Sequence, residues 1–191
     1  VTNKQSLITF SRSAAQSPGT YVGSDGLIHD AQANLALYSE QFDQWGSLGA
    51  SGIANQVVAP DGKQTADFVR ESSGGTTHMI YSNTLSGSAV KTVSGYFKAG
   101  TRSKARIGVG ASAASVGFFV DVDLSSGTLS NRTSTTGYSN ENATIASAGD
   151  GWYRVSVSGL TVATNHVAYV INLDDSGNFS YSGDGVSGFY I

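Results

Sequence analysis

Short runs of this chain alternate apolar and polar residues with a period of two. In Gly117–Leu124, Phe118, Val120, Val122 and Leu124 face one way while Phe119, Asp121 and Asp123 face the other. In Ala105–Gly110, Ala105, Ile107 and Val109 oppose Arg106; in Thr92–Ala99, Val93 and Phe97 oppose Ser94, Tyr96 and Lys98. In Trp152–Gly159, Tyr153, Val155 and Val157 oppose Trp152, Arg154 and Ser156. Further strand-like runs are Leu35–Ser39, Thr65–Glu71, Met79–Leu85 and Val167–Leu173. Between the runs lie Pro60-Asp61-Gly62, Ser73-Gly74-Gly75, Ser125-Ser126-Gly127, Gly149-Asp150-Gly151 and Asp175-Ser176-Gly177. These supply glycine for positive φ and Asp or Ser to bond the nearby backbone. No window holds an apolar period of 3.6 residues, and only Ser39–Trp45 suits a short helical turn. The pattern predicts an all-β fold, an antiparallel β-sandwich or barrel with little helix.

Phe97, Ile107, Val109, Phe118, Val120, Val122, Val155 and Val157 are therefore the predicted core. The residues opposite them mix aromatics with charges, where a merely solvated face favours Thr, Ser, Lys and Glu. If the four strands share a sheet, one exposed face carries Tyr96, Lys98, Arg106, Phe119, Asp121, Trp152 and Arg154. These are the candidate ligand-binding residues. Rings on such a face stack on the apolar faces of sugars, and Asp and Arg bond the hydroxyls. Trp45 closes an apolar, partly helical stretch and is expected in the core.

Composition agrees with strands. The chain has 191 residues, 39% hydrophobic and only 13% charged, with 24 Gly and 2 Pro; the charged share is roughly half the usual one. With no Cys, thiolate metal sites, cysteine nucleophiles and thiol redox chemistry are excluded. The formal charge is −3 and no basic run occurs, so there is no electrostatic footprint for nucleic acid. No apolar stretch approaches the roughly 18 residues that span a bilayer, and no membrane insertion is expected.

Gly183-Asp184-Gly185-Val186-Ser187-Gly188 matches GxGxxG. That motif binds phosphate only where a strand turns into a helix, whereas this one runs into strand-like Phe189-Tyr190-Ile191. No GxSxG elbow is present, and His29, His78 and His166 lie far apart with no metal-pair spacing. Asp121 and Asp123 share a strand face. They could serve a glycosidase or polysaccharide lyase, or bond Arg106 or Arg154 instead. Asp121-Val122-Asp123-Leu124-Ser125 opens like a calcium loop, but its glycine comes one place late and no Glu closes it. Structural calcium there, or at the turns of Asp25, Asp61 and Asp174-Asp175, stays open. No other cofactor is expected.

Longer signatures then resemble a known module. Asn34-Leu35-Ala36-Leu37-Tyr38-Ser39-Glu40-Gln41-Phe42-Asp43 with Trp45 is followed by Ala59-Pro60-Asp61-Gly62 and Thr65-Ala66-Asp67. Next come Ser94–Gly100, Gly151–Val157 and Tyr181–Gly185 through to Ile191. Ile8–Arg12 and Thr20–Ile28 precede them. This order resembles a module of tailed-phage tail and particle proteins, itself similar to the jelly-roll carbohydrate-binding modules of polysaccharide-degrading enzymes. The resemblance implies a jelly-roll sandwich, an extracellular or virion-associated location, and excision from a larger polypeptide. Residues 1–33 are read as an arm or linker that packs on the sandwich, with a hairpin around Ser24-Asp25-Gly26, and 34–191 as the binding module. The expected function is non-catalytic binding of a polysaccharide or cell-surface glycan, on a sheet or on adjacent loops around Tyr138, Phe179 and Tyr181. Lys98, Arg106 and Arg154 hint at an acidic polysaccharide. The rival readings are a structural domain of a phage tail and an enzyme using Asp121 or Asp123.

Overall fold

The computed structural model describes residues 20–22, 24–30, 34–111, 116–139, 142–162 and 165–191. The chain divides into two compact units, Val1–Leu35 and Ala36–Ile191. In the first, β1 (Thr20–Val22) pairs antiparallel with β2 (Ile28–Asp30), with Tyr21 opposite His29. Gly26 holds φ at +76° in the turn, and Asp25 Oδ1 accepts the Leu27 N–H at 3.0 Å. The hairpin predicted at Ser24-Asp25-Gly26 is thus present. The rest of the predicted arm, including Ile8–Arg12 and most of Ser13–Thr20, lies outside the described residues.

The second unit is built from strands β3 (Gly46–Leu48), β4 (Ala50–Val57), β5 (Ala66–Glu71), β6 (Gly75–Tyr81) and β7 (Val90–Lys98). They are followed by β8 (Lys104–Gly110), β9 (Gly117–Asp123), β10 (Thr128–Ser134), β11 (Asn142–Gly149) and β12 (Trp152–Leu160). The last are β13 (Val167–Asn172), β14 (Ser180–Ser182) and β15 (Gly188–Tyr190). One sheet has seven strands in the order β10-β9-β8-β13-β6-β14, with β3 also on β6; the other has six, β11-β12-β7-β15-β5-β4. Every pairing is antiparallel. The two sheets pack face to face, so the fold is an all-β sandwich, as the alternation predicts.

The core lies between the sheets. Ile80, Ile107, Val109, Phe118, Val120, Val122 and Val170 from the seven-stranded sheet meet Val69, Phe97, Val155, Val157 and Phe189 from the other. All eight predicted core residues belong to this cluster and are at most 1% exposed. Gly159 permits one close approach: a Cβ there would overlap the Ser139 carbonyl oxygen and the Phe118 ring.

Two local expectations change. Leu35–Ser39 is not a strand: 36–40 is a turn, with Tyr38 at φ +55° and the Trp45 indole N–H 3.0 Å from both the Leu37 and Tyr38 carbonyl oxygens. Those carbonyls serve the indole instead of a ladder. Met79–Leu85 shifts toward the N-terminus; β6 ends at Tyr81, and Leu85 makes a lone bridge to His166. The helical turn expected in Ser39–Trp45 is a 3-10 turn at Phe42–Gln44. Trp45, expected in the core, is half-buried and packs against the core from its margin, edge-on to Phe42.

Candidate functional site

The seven candidate residues do not share one face, because their four strands do not share a sheet. Arg106 on β8 and Phe119 and Asp121 on β9 point outward from the seven-stranded sheet. Tyr96 and Lys98 on β7 and Trp152 and Arg154 on β12 point outward from the six-stranded sheet. Period two fixes which residues oppose the core; it says nothing about which sheet a strand joins.

The first trio is sequestered. Arg106, Phe119 and Asp121 are 4%, 6% and 7% exposed. Arg106 opposes Asp121 in the ladder and holds its carboxylate bidentately, Nε to Oδ1 at 2.6 Å and a terminal nitrogen to Oδ2 at 3.0 Å. Asn131 donates a further bond to Oδ2 at 2.8 Å. The guanidinium lies 3.9 Å from the Phe119 ring centroid and 5.2 Å from that of Phe179. Around them Met79, Val167, Tyr169, Ile171 and Leu173 form a second buried cluster, so the central strands of this sheet are buried on both faces. Asp121 is fully committed to neighbours, and a cation at its oxygens would have to displace Arg106. Asp123 closes its own turn, accepting the Ser125 N–H and hydroxyl. Among the described residues no group of three or more His, Asp or Glu side chains is placed to hold a metal.

The second set is mixed. Trp152 is only 2% exposed; its indole N–H donates to the Val58 carbonyl oxygen at 3.2 Å and the Lys98 ammonium sits 5.9 Å from its ring. It is thus an anchor beneath the face, a correction to its expected exposure. Tyr96 is 43% exposed and lies directly across from exposed Arg154, whose guanidinium reaches the Ser94 hydroxyl at 3.4 Å. Lys98 is half-buried and opposes both Trp152 and Tyr190.

Three further residues complete this face and escape the sequence reading. On β5, Val69 points into the core, so Phe68 and Arg70 point out; Phe189 on β15 likewise turns Tyr190 outward. Phe68 opposes Tyr190, their rings 5.0 Å apart and tilted. The signal was available in the alternation of Phe68-Val69-Arg70, but only sheet order places these side chains beside Lys98.

Elsewhere, the signature segments converge. Tyr38, Ser39, Glu40, Gln41 and Asp43 line an open cleft of about 580 Å³ with Ala54, Asn55, Thr65 and Asp67. Buried Asp67 joins its walls by accepting the Phe42 N–H at 2.7 Å and the Asn55 N–H at 2.9 Å. These signatures therefore fix a corner of the fold. Glu71 organises a second corner: it binds Arg102 bidentately, both bonds 2.9 Å, and accepts the Tyr181 hydroxyl at 2.6 Å and the Asp184 N–H at 2.9 Å. Burial opposes the charge on Glu71, but these donors hold its carboxyl below its ordinary range. Burial and the Glu71 carboxylate together push the Tyr181 phenol well up. In the GxGxxG-like stretch, Asp184 accepts the N–H groups of Val186 and Ser187 at a turn that leads into β15, a strand and not a helix.

No family model matches this chain, and a search of the curated proteins gives no match.

Proposed function

We propose that this domain binds polysaccharide without catalysis, on the outer face of the six-stranded sheet, as a module of an extracellular or virion-associated protein. One observation carries the reading: Tyr96 is 43% exposed and pairs across the ladder with exposed Arg154. Tyr190 on the adjacent strand and Phe68 on the next, both half-buried and in ring contact, lie on the same face. Half-buried rings held by a rigid ladder present flat apolar surface at little entropic cost, which suits stacking on a pyranose. Arg154 and the hydroxyls of Ser94 and Thr92 on the same face offer hydrogen bonds to sugar oxygens. The reading is also supported by the saturation of Asp121, which leaves it ill suited to act as a general acid or base.

A glycan array tests this. Wild type is expected to retain a defined group of glycans, and Tyr96→Ala to weaken them by about 1–3 kcal/mol, the scale of an aromatic anchor. A protein that binds nothing on the array would favour the structural reading, in which these rings pack against a neighbouring subunit.

A further inference from the structure

We infer that the ligand is an acidic polysaccharide, lying along a diagonal stripe of alternating cations and rings across the six-stranded sheet; this rests on the sheet-face reading above. The ladder registers place the stripe. Arg154 on β12 lies opposite Tyr96 on β7. Lys98, two residues along β7, opposes Tyr190 on β15, which opposes Phe68 on β5. Arg70, two residues beyond Phe68, opposes Gly188, on the side of Lys98 away from Tyr96. The order along the diagonal is therefore Arg154, Tyr96, Lys98, Tyr190, Phe68, Arg70. With strands about 4.8 Å apart and a rise of about 3.4 Å per residue, the backbone positions of Arg154 and Arg70 are separated by roughly 20 Å. That is the footprint of a short oligosaccharide, with a cation at each end and one near the middle.

The charge on this face is one-sided. The outward strand positions of the six-stranded sheet include Asn142, Thr144, Ala146, Ser156, Ser158, Thr92, Ser94, Ser51 and Ile53, and among the described residues none is Asp or Glu. The chain as a whole carries a net charge of −3. Arg102 and Arg106 are neutralised by Glu71 and Asp121, and Lys63 by Asp61. Arg70, Lys98 and Arg154 form no ion pair among the described residues. Three cations kept clear of carboxylates within an acidic protein complement a ligand carrying repeated negative charge. The interleaved rings distinguish a sugar chain, with its apolar ring faces, from a bare polyanion. Arg106, buried on the other sheet, takes no part, and Arg70 stands in its place.

The test compares acidic polymers with neutral counterparts: polygalacturonate against its methyl ester, and dextran sulfate against dextran, with hyaluronan, alginate and an oligothymidylate alongside. At least one acidic polysaccharide should bind ten-fold or more tighter than any neutral polymer, and raising salt from 50 to 500 mM should weaken it several-fold, as ~10 Å screening at 0.1 M implies. Arg70→Gln, Lys98→Gln and Arg154→Gln should each cost several-fold, and the triple variant about a hundred-fold, while Lys63→Gln changes nothing. Circular dichroism confirms that each variant is folded. Equal binding of methyl-esterified and free polygalacturonate, or of dextran and its sulfate, would overturn the acidic assignment and leave the sheet-face reading standing. Full affinity in the folded triple variant would overturn the stripe. Oligothymidylate bound as tightly as the best polysaccharide would make the face a general polyanion surface and overturn the glycan assignment. Silence toward every polymer here and on the array would remove the binding reading itself.

Discussion

Asp25, Asp61, Asp123, Asp174 and Asp184 each accept the backbone N–H of the residue two places on, at 2.8–3.0 Å. A short side chain that imitates a backbone carbonyl closes a turn without demanding glycine at every position. So Asp25, Asp61, Asp123 and Asp174, four of the acids that sequence alone could offer to calcium, close turns here. Asp184 closes its turn with three bonds: the N–H groups of Val186 and Ser187 reach Oδ1 and the Ser187 hydroxyl reaches Oδ2 at 2.6 Å. The Ser187 hydroxyl and then these N–H groups hold the Asp184 carboxyl far below its ordinary range. Asp184→Ala is expected to cost about 1 kcal/mol in urea unfolding, the net worth of such bonds at an exposed site. Two of the aromatic positions expected to bind, Trp152 and Tyr96, separate sharply in the same assay. Trp152→Ala removes a buried ring and should cost about 3–5 kcal/mol, while Tyr96→Ala should stay within about 0.5 kcal/mol. A destabilised Tyr96 variant would mean its exposed ring is structural.

At the scale of elements, the short strands β14 and β15 are held by charge as much as by ladder. Glu71, at the end of β5, draws in Arg102 from the β7–β8 loop, Tyr181 on β14 and the Asp184 backbone before β15. Its side chain is fully buried, while that of Arg102 is 16% exposed. Glu71→Gln strands the guanidinium and should cost about 3 kcal/mol, whereas Glu71→Gln with Arg102→Met should cost less than the single change. A double variant worse than the single one would locate the effect in Tyr181 and Asp184. Nothing in the sequence announces this clamp, since its partners lie 31 to 113 residues from Glu71. Inward and outward facing was legible in β7, β8, β9 and β12 because bulky apolar residues alternate there. The strand β11 was not, because in Asn142–Gly149 only Ile145 is bulky and the rest are Ala, Ser, Thr, Asn and Gly. Leu35–Ser39 misled for the opposite reason, its apolar residues belonging to a turn capped by Trp45. The candidate site divided because partnership between strands is settled by long-range pairing, which facing alone does not encode.

The larger unit, Ala36–Ile191, is a sandwich with an apolar cluster between its sheets and corners fastened by carboxylates. The inter-sheet cluster around Val69, Phe97, Val120 and Val155 carries no titratable group and adds no pH dependence of its own. The fastenings do. Asp61, Asp123, Asp174, Asp184 and Glu71 all have their carboxyls held below the ordinary values of 3.8 for Asp and 4.5 for Glu. For a group depressed in the folded state, the unfolded chain binds protons first as pH falls. Its contribution is therefore complete above the ordinary carboxylate range and lost as pH drops through it toward the folded values. The melting temperature should stay level between pH 6 and about 5 and then decline steadily toward pH 3. Glu71→Gln and Asp184→Asn should each start lower and fall less steeply, because each removes one of the linked protons. Melting curves recorded from pH 3 to pH 6 for the three proteins decide this. A wild-type melting temperature that rises on acidification, or parallel slopes in all three, would show that these carboxylates are not what fastens the sheets at their corners.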